Sequence, residues 1–542
     1  MWSRVAAEAC VLGLAVVWIY MLLDQIPSFH EMPVNSLPYA LALMVFLLFG
    51  GVASTIHATD ILPHHVQQHM RVEQDSGILV GLTLVPIVIS SRLMFVWAEY
   101  HEFSDYTHVH LWLSLLIATS SIIRLATKVS WSFANAILDI LFVHIVYILL
   151  PIDQVTSYVH IHATIAAYNI TLHFGFPFLS HSFTFGEGML ISQGVAFLAI
   201  DALLFSLKQF GMSLADIPSR DGFSIVLQLG LLSALVMPAL CIPLFRVYGT
   251  STPRIIRPTL PPSQTAIFLG LLALVALNFI VWASILLNEP LWLWVLENLV
   301  VSSKLMVAGY WIVVLAVVVP VCPILAKQLG LKQIVSRKLY HVLAVLMFLP
   351  VSLYDVDMLR LSYGVAVGVF VVVECIRALA VPPFGRHIAL FIRVYLDHRD
   401  EGRVVLSHTY LLLGCALPTW ILSGLPASST SFVLIANAGV LALGIGDAMG
   451  AAVGSTMGKT KIVGKKSLEG SIAMFASMVI VSFACHSYHW DFVQGKYASA
   501  IAFASATLLT AALEAITMQI DNLVLPLFYC ATCCLTACSL VK

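Results

Sequence analysis

The densest polar constellation in the sequence begins at Gly444-Ile445-Gly446-Asp447-Ala448-Met449-Gly450 and continues through Gly454, Ser455, Thr456 and Gly458. Glycines 446, 450, 454 and 458 recur every fourth residue, which drifts only ~40° per step around a helix and leaves one face as bare backbone. Such a face serves close helix packing in a membrane as readily as the approach of a substrate. Asp447 adds something packing does not need. A carboxylate at membrane depth costs roughly 2.5 kcal/mol or more, so it is paired, hydrated or bound to a metal. Directly after comes Lys459-Thr460-Lys461-Ile462-Val463-Gly464-Lys465-Lys466-Ser467-Leu468-Glu469-Gly470-Ser471. Its lysines offer point charges to phosphate oxygens, its glycines let backbone N–H groups approach, and Ser467 can cap a helix whose N-terminus attracts anions. A basic loop ending in a helix cap has the same composition. Set one helix from Asp447, though, the loop points to phosphate chemistry assisted by a divalent cation. Asp521 and Asn522 can complete the cation's shell with Asp447, phosphate oxygens and water.

Other polar residues sit in or beside apolar stretches: Glu374 and Arg377 one turn apart, His408, Glu514 and Gln519. Each reads equally as a structural pair, a helix-end group or a ligand. His65 and His69 have the one-turn spacing of a zinc pair, but no third ligand or H-E-x-x-H glutamate accompanies them. His398-Arg399-Asp400 spells a protein-kinase triplet, yet Val405 stands where that motif needs asparagine, and no Asp-Phe-Gly follows. No G-x-x-x-x-G-K-[ST] occurs, which excludes a P-loop enzyme. Cys530, Cys533, Cys534 and Cys538 lie in a terminal apolar run and, like the other cysteines, read as small buried hydrophobes.

The elements that must hold these residues are membrane helices. Of 542 residues 60% are hydrophobic and 10% charged, with mean hydropathy +0.96, far below the roughly quarter charged residues of a soluble domain. Apolar blocks recur from Val5–Leu23 through 37–55, 78–98, 110–126, 133–151, 157–176, 188–207, 223–247, 265–287, 305–326, 339–353, 359–381, 404–424, 431–456, 470–486, 498–518 and 522–541. Several are short or broken by Gly and Pro, so the expectation is an all-α polytopic protein of roughly fifteen transmembrane helices. The net charge of -1 and the lack of a basic tract argue against nucleic-acid binding. Loops 327–338, 386–403 and 459–466 hold twelve Lys and Arg, against two in the turns between them, Arg360 and Lys496. By the positive-inside bias these loops share the cytosolic face, where Asp521 and Asn522 join them. The sequence thus divides into residues 1–304, multi-span and of unclear role, and residues 305–542, multi-span and carrying the chemistry.

Six strings in this order resemble the dolichol kinases of the polyprenol kinase family: Arg337-Lys338-Leu339-Tyr340-His341, Leu396-Asp397-His398-Arg399-Asp400-Glu401-Gly402, Gly444-Ile445-Gly446-Asp447, Gly454-Ser455-Thr456-Met457-Gly458, Lys465-Lys466-Ser467-Leu468-Glu469-Gly470 and Gln519-Ile520-Asp521-Asn522-Leu523. They occupy about 200 residues; the first 300 resemble the family only as a series of apolar spans. The resemblance implies transfer of the γ-phosphate of CTP to the terminal hydroxyl of dolichol in the endoplasmic reticulum membrane. The product, dolichyl phosphate, carries sugars for N-glycosylation, C- and O-mannosylation and GPI-anchor synthesis. It also implies Mg²⁺ or another divalent cation, and a CTP loop near 458–471 facing the cytosol. Mapped onto the residues, Asp447, Lys466, Glu469 and Asp521 are the expected catalytic groups. Gly446, Gly450, Gly454, Ser455, Gly458, Lys465, Lys466, Ser467 and Gly470 are expected to hold the nucleotide, and Asp447, Asp521 and Asn522 the cation. Glu469, Asp521 and His408 are each placed to accept the hydroxyl proton. A kinase for a shorter prenyl alcohol or for diacylglycerol is the alternative within the class, and a transporter the alternative outside it; no inverted repeat of the Gly/Asp/Lys cluster supports transport.

Overall fold

A computed structural model describes residues 2–25, 29, 37–62, 64–71, 75–127, 140–141, 144, 155–212, 217–250, 252–253, 255, 257–330, 333–393, 396, 400, 402–426, 430–464, 466–489 and 496–540. The main helices are α1 (Trp2–Gln25), α2 (Leu37–Ile56), α3 (Ile78–Tyr100), α4 (Asp105–Thr127), α5 (Val155–Phe178), α6 (Phe185–Gln209), α7 (Gly222–Leu240), α8 (Pro262–Leu287) and α9 (Ser302–Gln328). There follow α10 (Gln333–Ser352), α11 (Val356–Ala378), α12 (Gly385–Arg393), α13 (Ser407–Ile421), α14 (Thr430–Ala436), α15 (Val440–Thr456), α16 (Leu468–His489), α17 (Lys496–Ile516) and α18 (Asp521–Leu540). No strand occurs among the described residues.

Twelve of these helices are long and apolar enough to cross a membrane, and Val440–Thr456 and Ala502–Ile516 are shorter apolar helices. The protein is an all-α, multi-pass membrane protein. The number expected from the sequence was about fifteen, and the differences have physical reasons. The block 133–151 lies almost wholly outside the described residues. The block 404–424 yields a helix only from Ser407 to Ile421, because its first residues form a bent, non-helical strap. The block 431–456 is one helical run divided at Asn437 by a change of winding, with the Asn437 N–H on the Val433 carbonyl, the Leu441 N–H on the Asn437 carbonyl and a π-helix from Val440, and α5 carries His160, His162, Asn169 and His173, which lower its hydropathy. The position between 304 and 305 falls in the first turn of α9.

The centre of the bundle is α3 and α18, buried over 83% and 89% of their spans and packed on one another. Backbone groups in such a core must be satisfied internally, and hydroxyl side chains there turn back onto their own helix. Ser90 and Ser91 donate to the carbonyls of Pro86 and Ile87, and Thr532 to Phe528. Phe528, Cys530, Cys533 and Cys534 are all buried in this core, and every cysteine is a free thiol. At the other extreme α8 and α9 are buried over only 11% of their spans. α9 reaches the bundle through Trp311 Nε1, which donates to the Met347 carbonyl at 2.7 Å, and through Lys304, 3.2 Å from Asp355.

α15 starts as a π-helix, Val440–Asp447, and continues as an α-helix from Ala448 to Thr456. π-Helical turns widen the backbone and recur at functional sites. Here the turn ends on Asp447.

Candidate active site

The Arg337-Lys338-Leu339-Tyr340-His341 string opens α10, and positions 338 and 341, three apart, share a helix face. That face meets α15. Lys338 Nζ donates to Asp447 Oδ2, and His341 Nδ1 lies 3.7 Å from the same oxygen and 2.8 Å from the Leu443 carbonyl. The carbonyl can only accept, so Nδ1 carries a proton and donates to it beside the ion pair. The buried carboxylate is thus matched by a lysine, as its cost in an apolar bundle demands.

Beyond α15 the chain folds into a small hairpin. Lys461 and Ser467 form an antiparallel bridge, the Lys466 N–H donates to the Val463 carbonyl, and Gly464 takes φ +56°, the left-handed conformation a tight hairpin turn needs. Ser467 caps α16, accepting the Gly470 N–H at 3.3 Å. The hairpin directs Lys466 inward, where Nζ donates to Asp521 Oδ1 at 3.1 Å and to the Glu514 backbone carbonyl, and lies 3.2 Å from Glu514 Oε1. Burial opposes the charge of Lys466, but the carboxylates of Asp521 and Glu514 outweigh it and hold the ammonium above its ordinary range. Lys466 is a fixed positive charge, not a base.

The glycine stripe packs α15 on α16. A Cβ at Gly470 would lie 2.8 Å from the Gly450 carbonyl and 3.2 Å from Gly454 Cα, so only bare backbone allows this crossing. Gly446 faces Met474 and Met478 of α16 instead.

The strap 402–406 runs beneath α13. Glu374, doubly bonded by Arg377 at 2.7 and 2.6 Å, accepts the Val405 N–H at 2.6 Å, and Ser407 Oγ donates to Asp400 Oδ1 at 2.6 Å. Asn522 Nδ2 lies 3.5 Å from the Ser407 carbonyl. The N-terminal half supplies the last wall. Arg71 donates to both oxygens of Glu187 at 2.9 and 3.0 Å and to the Ser182 carbonyl at 3.1 Å. Glu187 in turn accepts the Ile520 N–H at 2.8 Å, and Thr184, N-cap of α6, donates to Gln519 Oε1 at 2.6 Å. The turn carrying Asp521 is therefore clamped from residues more than 300 positions away.

These elements enclose one cavity of about 690 Å³. All six strings noted in the sequence contribute to its lining: Lys338 and His341; Asp400; Asp447; Gly454, Ser455 and Gly458; Lys466, Ser467 and Gly470; Asp521 and Asn522. Gly450 lines it as well. Its ionised side chains nearly balance, with Arg71, Arg337, Lys338, Lys461 and Lys466 against Asp400, Asp447, Glu514 and Asp521, five cations to four carboxylates. Each of the three basic loops reaches this lining, the first with Arg337 and Lys338, the last with Lys461 and Lys466, and the middle one with Asp400 rather than an arginine among the described residues. The hydroxyls of Ser182 and Tyr410 are buried in the same lining and have no hydrogen-bond partner among the described residues. Such orphaned groups are costly unless a ligand satisfies them.

Some expected residues stand elsewhere. Gly446 is outside the lining, held by the packing just described. Glu469 is also outside it: its carboxylate accepts the Thr460 N–H at 3.0 and 3.2 Å and closes the base of the hairpin. His408 lines a neighbouring opening, which leaves Asp521 as the member of the three proton acceptors that faces the cavity. Lys465 lies outside the described residues. Arg71, Ser182 and Tyr410 do not stand out in the sequence, since Arg71 sits in a histidine-rich loop with no periodicity, Ser182 in a short turn between two apolar blocks and Tyr410 in an apolar run. His69 bonds Ser180 at 3.0 Å, and no group of three His, Cys, Asp or Glu able to hold a metal occurs among the described residues. Asp447 and Asp521 are each engaged by a lysine, so no cage is preformed. Two carboxylates and the Asn522 amide on one cavity do fit a cation of the Mg²⁺ kind, which keeps waters and takes most of its shell from substrate phosphates.

No family model matches the chain, and no solved structure matches it. Among curated proteins it is 36% identical over 256 residues to the dolichol kinase EVAN of Arabidopsis thaliana, covering 46% of this chain and 44% of that one. It is 38% identical over 197 residues to the dolichol kinase sec59 of Schizosaccharomyces pombe, covering 35% and 37%. It is 34% identical over 200 residues to a dolichol kinase of Homo sapiens, covering 36% and 37%. The matched stretches span less than half the length of each relative. Over those stretches the chain is related to the dolichol kinases.

Proposed function

We propose that this protein transfers the γ-phosphoryl group of CTP to the terminal hydroxyl of dolichol, releasing CDP and dolichyl phosphate. The observation that carries the reading is the meeting of all six strings at one charged cavity inside a bundle of membrane helices. It is supported by the similarity to named dolichol kinases. Phosphoryl transfer asks for positioning and charge neutralisation more than covalent help. Lys466, Lys461, Lys338 and Arg337 supply positive charge for the triphosphate, and the positive end of the α16 dipole adds to it. Gly450, Gly454, Gly458 and Gly470 line the cavity where α15 and α16 cross, so that wall is backbone rather than side chain. The acceptor oxygen forms a bond to the γ-phosphorus as the bond to the β-bridging oxygen breaks, and Asp521 takes the hydroxyl proton. A divalent cation held by Asp447, Asp521 and Asn522 would offset charge on the phosphate oxygens.

In this reading residues 305–542 carry the chemistry, while residues 1–304 supply Arg71 and Ser182 and clamp the turn before Asp521. The protein acts in the endoplasmic reticulum membrane with its cavity open to the cytosol, and its product serves as the lipid carrier for protein glycosylation and GPI-anchor synthesis. The test is phosphoryl transfer by the purified protein in detergent with Mg²⁺, offering γ-labelled CTP or ATP against dolichol, phytol and diacylglycerol. Label from CTP appearing on dolichol is the expected result. Label on phytol or diacylglycerol alone reassigns the acceptor, and no lipid label from a folded preparation sinks the kinase reading.

A further inference from the structure

The stretch 404–409 is a partition. Val404, Leu406 and Ser407 line the charged cavity, whereas Val405, His408 and Thr409 line a separate apolar groove of about 390 Å³. The strap is fixed from both sides, by Glu374 on the Val405 N–H and by Asp400 on the Ser407 hydroxyl. Opposite it, Phe370 and Val373 of α11 and Ile388 and Phe391 of α12 complete the groove. α12 carries Arg386 and Arg393 seven residues apart on one side and Ile388 and Ile392 on the other, the pattern of a helix lying in a membrane interface. Phe384 and Phe391 are 65% and 59% exposed beside it. The groove therefore sits at interface level, where a water-soluble donor and a lipid acceptor must meet.

Another apolar opening, about 240 Å³, lies between α14, α16 and α17, lined by Leu434, Val479, Phe483 and Phe503. Val479 is nine residues beyond Gly470 on α16, so that opening lies ~13 Å further along the helix axis. It shares no residue with the charged cavity.

We infer that the groove at Val373, His408 and Thr409 binds the first isoprene units of the acceptor, with the terminal hydroxyl passing over Ser407 into the cavity. The inference rests on the kinase reading for its ligand class, a branched unsaturated hydrocarbon chain ending in an alcohol. Its size falls in the roughly 300–1,000 Å³ range of ligand sites, enough for the head of the chain while the remainder stays in lipid. A phospholipid acyl chain has no need of this position, because its headgroup has no reaction to reach across the partition.

The experiment uses the full chain in nanodiscs with a long polyprenol carrying a diazirine in its first isoprene units. Adducts are mapped by mass spectrometry, and transfer kinetics are measured for the parent and for Val373→Trp and Thr409→Trp. Adducts on 370–391 and 405–409 are expected, with the polyprenol KM raised about tenfold or more and kcat and the nucleotide KM unchanged in the variants, the signature of lost acceptor binding. Adducts on Leu434, Phe483 or Phe503, or variants with unchanged polyprenol KM, overturn the groove while leaving the kinase reading intact. Failure of the parent to phosphorylate any lipid alcohol overturns the kinase reading instead, and the adduct map of the unaltered chain then still decides the groove.

Discussion

Asp447 and Lys338 separate electrostatic stability from catalysis at the level of single residues. Removing one member of a buried pair leaves the other uncompensated, typically costing 3–5 kcal/mol, whereas replacing both with neutral groups is near neutral. Asp447→Asn should therefore lower the melting temperature in detergent and abolish transfer; Asp447→Asn with Lys338→Met should regain most of the stability and none of the activity. Recovery of activity in the double variant would remove Asp447 from the reaction. Tyr410 gives the opposite pattern. Its hydroxyl is buried without a partner among the described residues, so Tyr410→Phe should keep or slightly raise the melting temperature yet raise the KM of one substrate, with an expected loss of ~1 kcal/mol in binding. Lys466 governs pH. Its raised value keeps it charged across neutral and mildly alkaline pH, so the stabilisation of its pairs with Asp521 and Glu514 is present there and fades only as pH climbs through that elevated value. The alkaline limb of the rate profile should accordingly be the same in Lys466→Arg as in the parent; a shifted limb would make Lys466 a titrating participant. Asp447, Lys466 and Asp521 were legible because charge is rare in so apolar a chain. Glu469 stood out equally yet lies outside the lining, because a carboxylate next to a lysine loop reads the same whether it faces a cavity or closes its own hairpin.

Among the elements, the contact of α15 with α16 is the least tolerant of change. Gly470→Val would press a branched side chain into the Gly450 carbonyl and Gly454 Cα, forcing the helices apart at a cost of about 1–3 kcal/mol or more. It should lower the melting temperature and activity together, while Gly270→Ala on the exposed face of α8, where a Cβ meets nothing within 4 Å, should leave activity unchanged. Equal loss in both would mean that glycine content, not the crossing, matters. Hydropathy located most spans within a few residues, because a lipid-facing or core helix must be apolar along its whole length. Where a segment is shielded from lipid the signal fades: the strap before α13 carries apolar residues yet is not helix, and the change of winding at the start of α15 leaves no mark in hydropathy. The four-residue glycine spacing was legible as a close-approach face; which helix it approaches was not, since partner choice depends on three-dimensional packing that no period in the sequence encodes.

The whole molecule is less divisible than its sequence. α18 carries the last of the six strings, but it packs against α3 of the N-terminal half, and Glu187 and Thr184 hold the turn that precedes it. Residues 305–542 expressed alone should thus yield a protease-sensitive, inactive product, and co-expression with residues 1–304 should restore protection; an active C-terminal fragment would overturn the clamp. Nothing in the composition of the first 300 residues foretold this, because the contacts are made by backbone groups and by Arg71, Thr184 and Glu187 scattered among apolar spans. α8 and α9, at the other edge, have scarcely any protein around them. α9 is nevertheless tied to the carbonyls of α10, the helix that bears Lys338 and His341. Acyl chains consequently fill the place that a core occupies in a water-soluble enzyme: lateral pressure and bilayer thickness bear on α9, and through it on the lysine that faces Asp447, so the surrounding lipid is a structural ingredient of the site rather than its container.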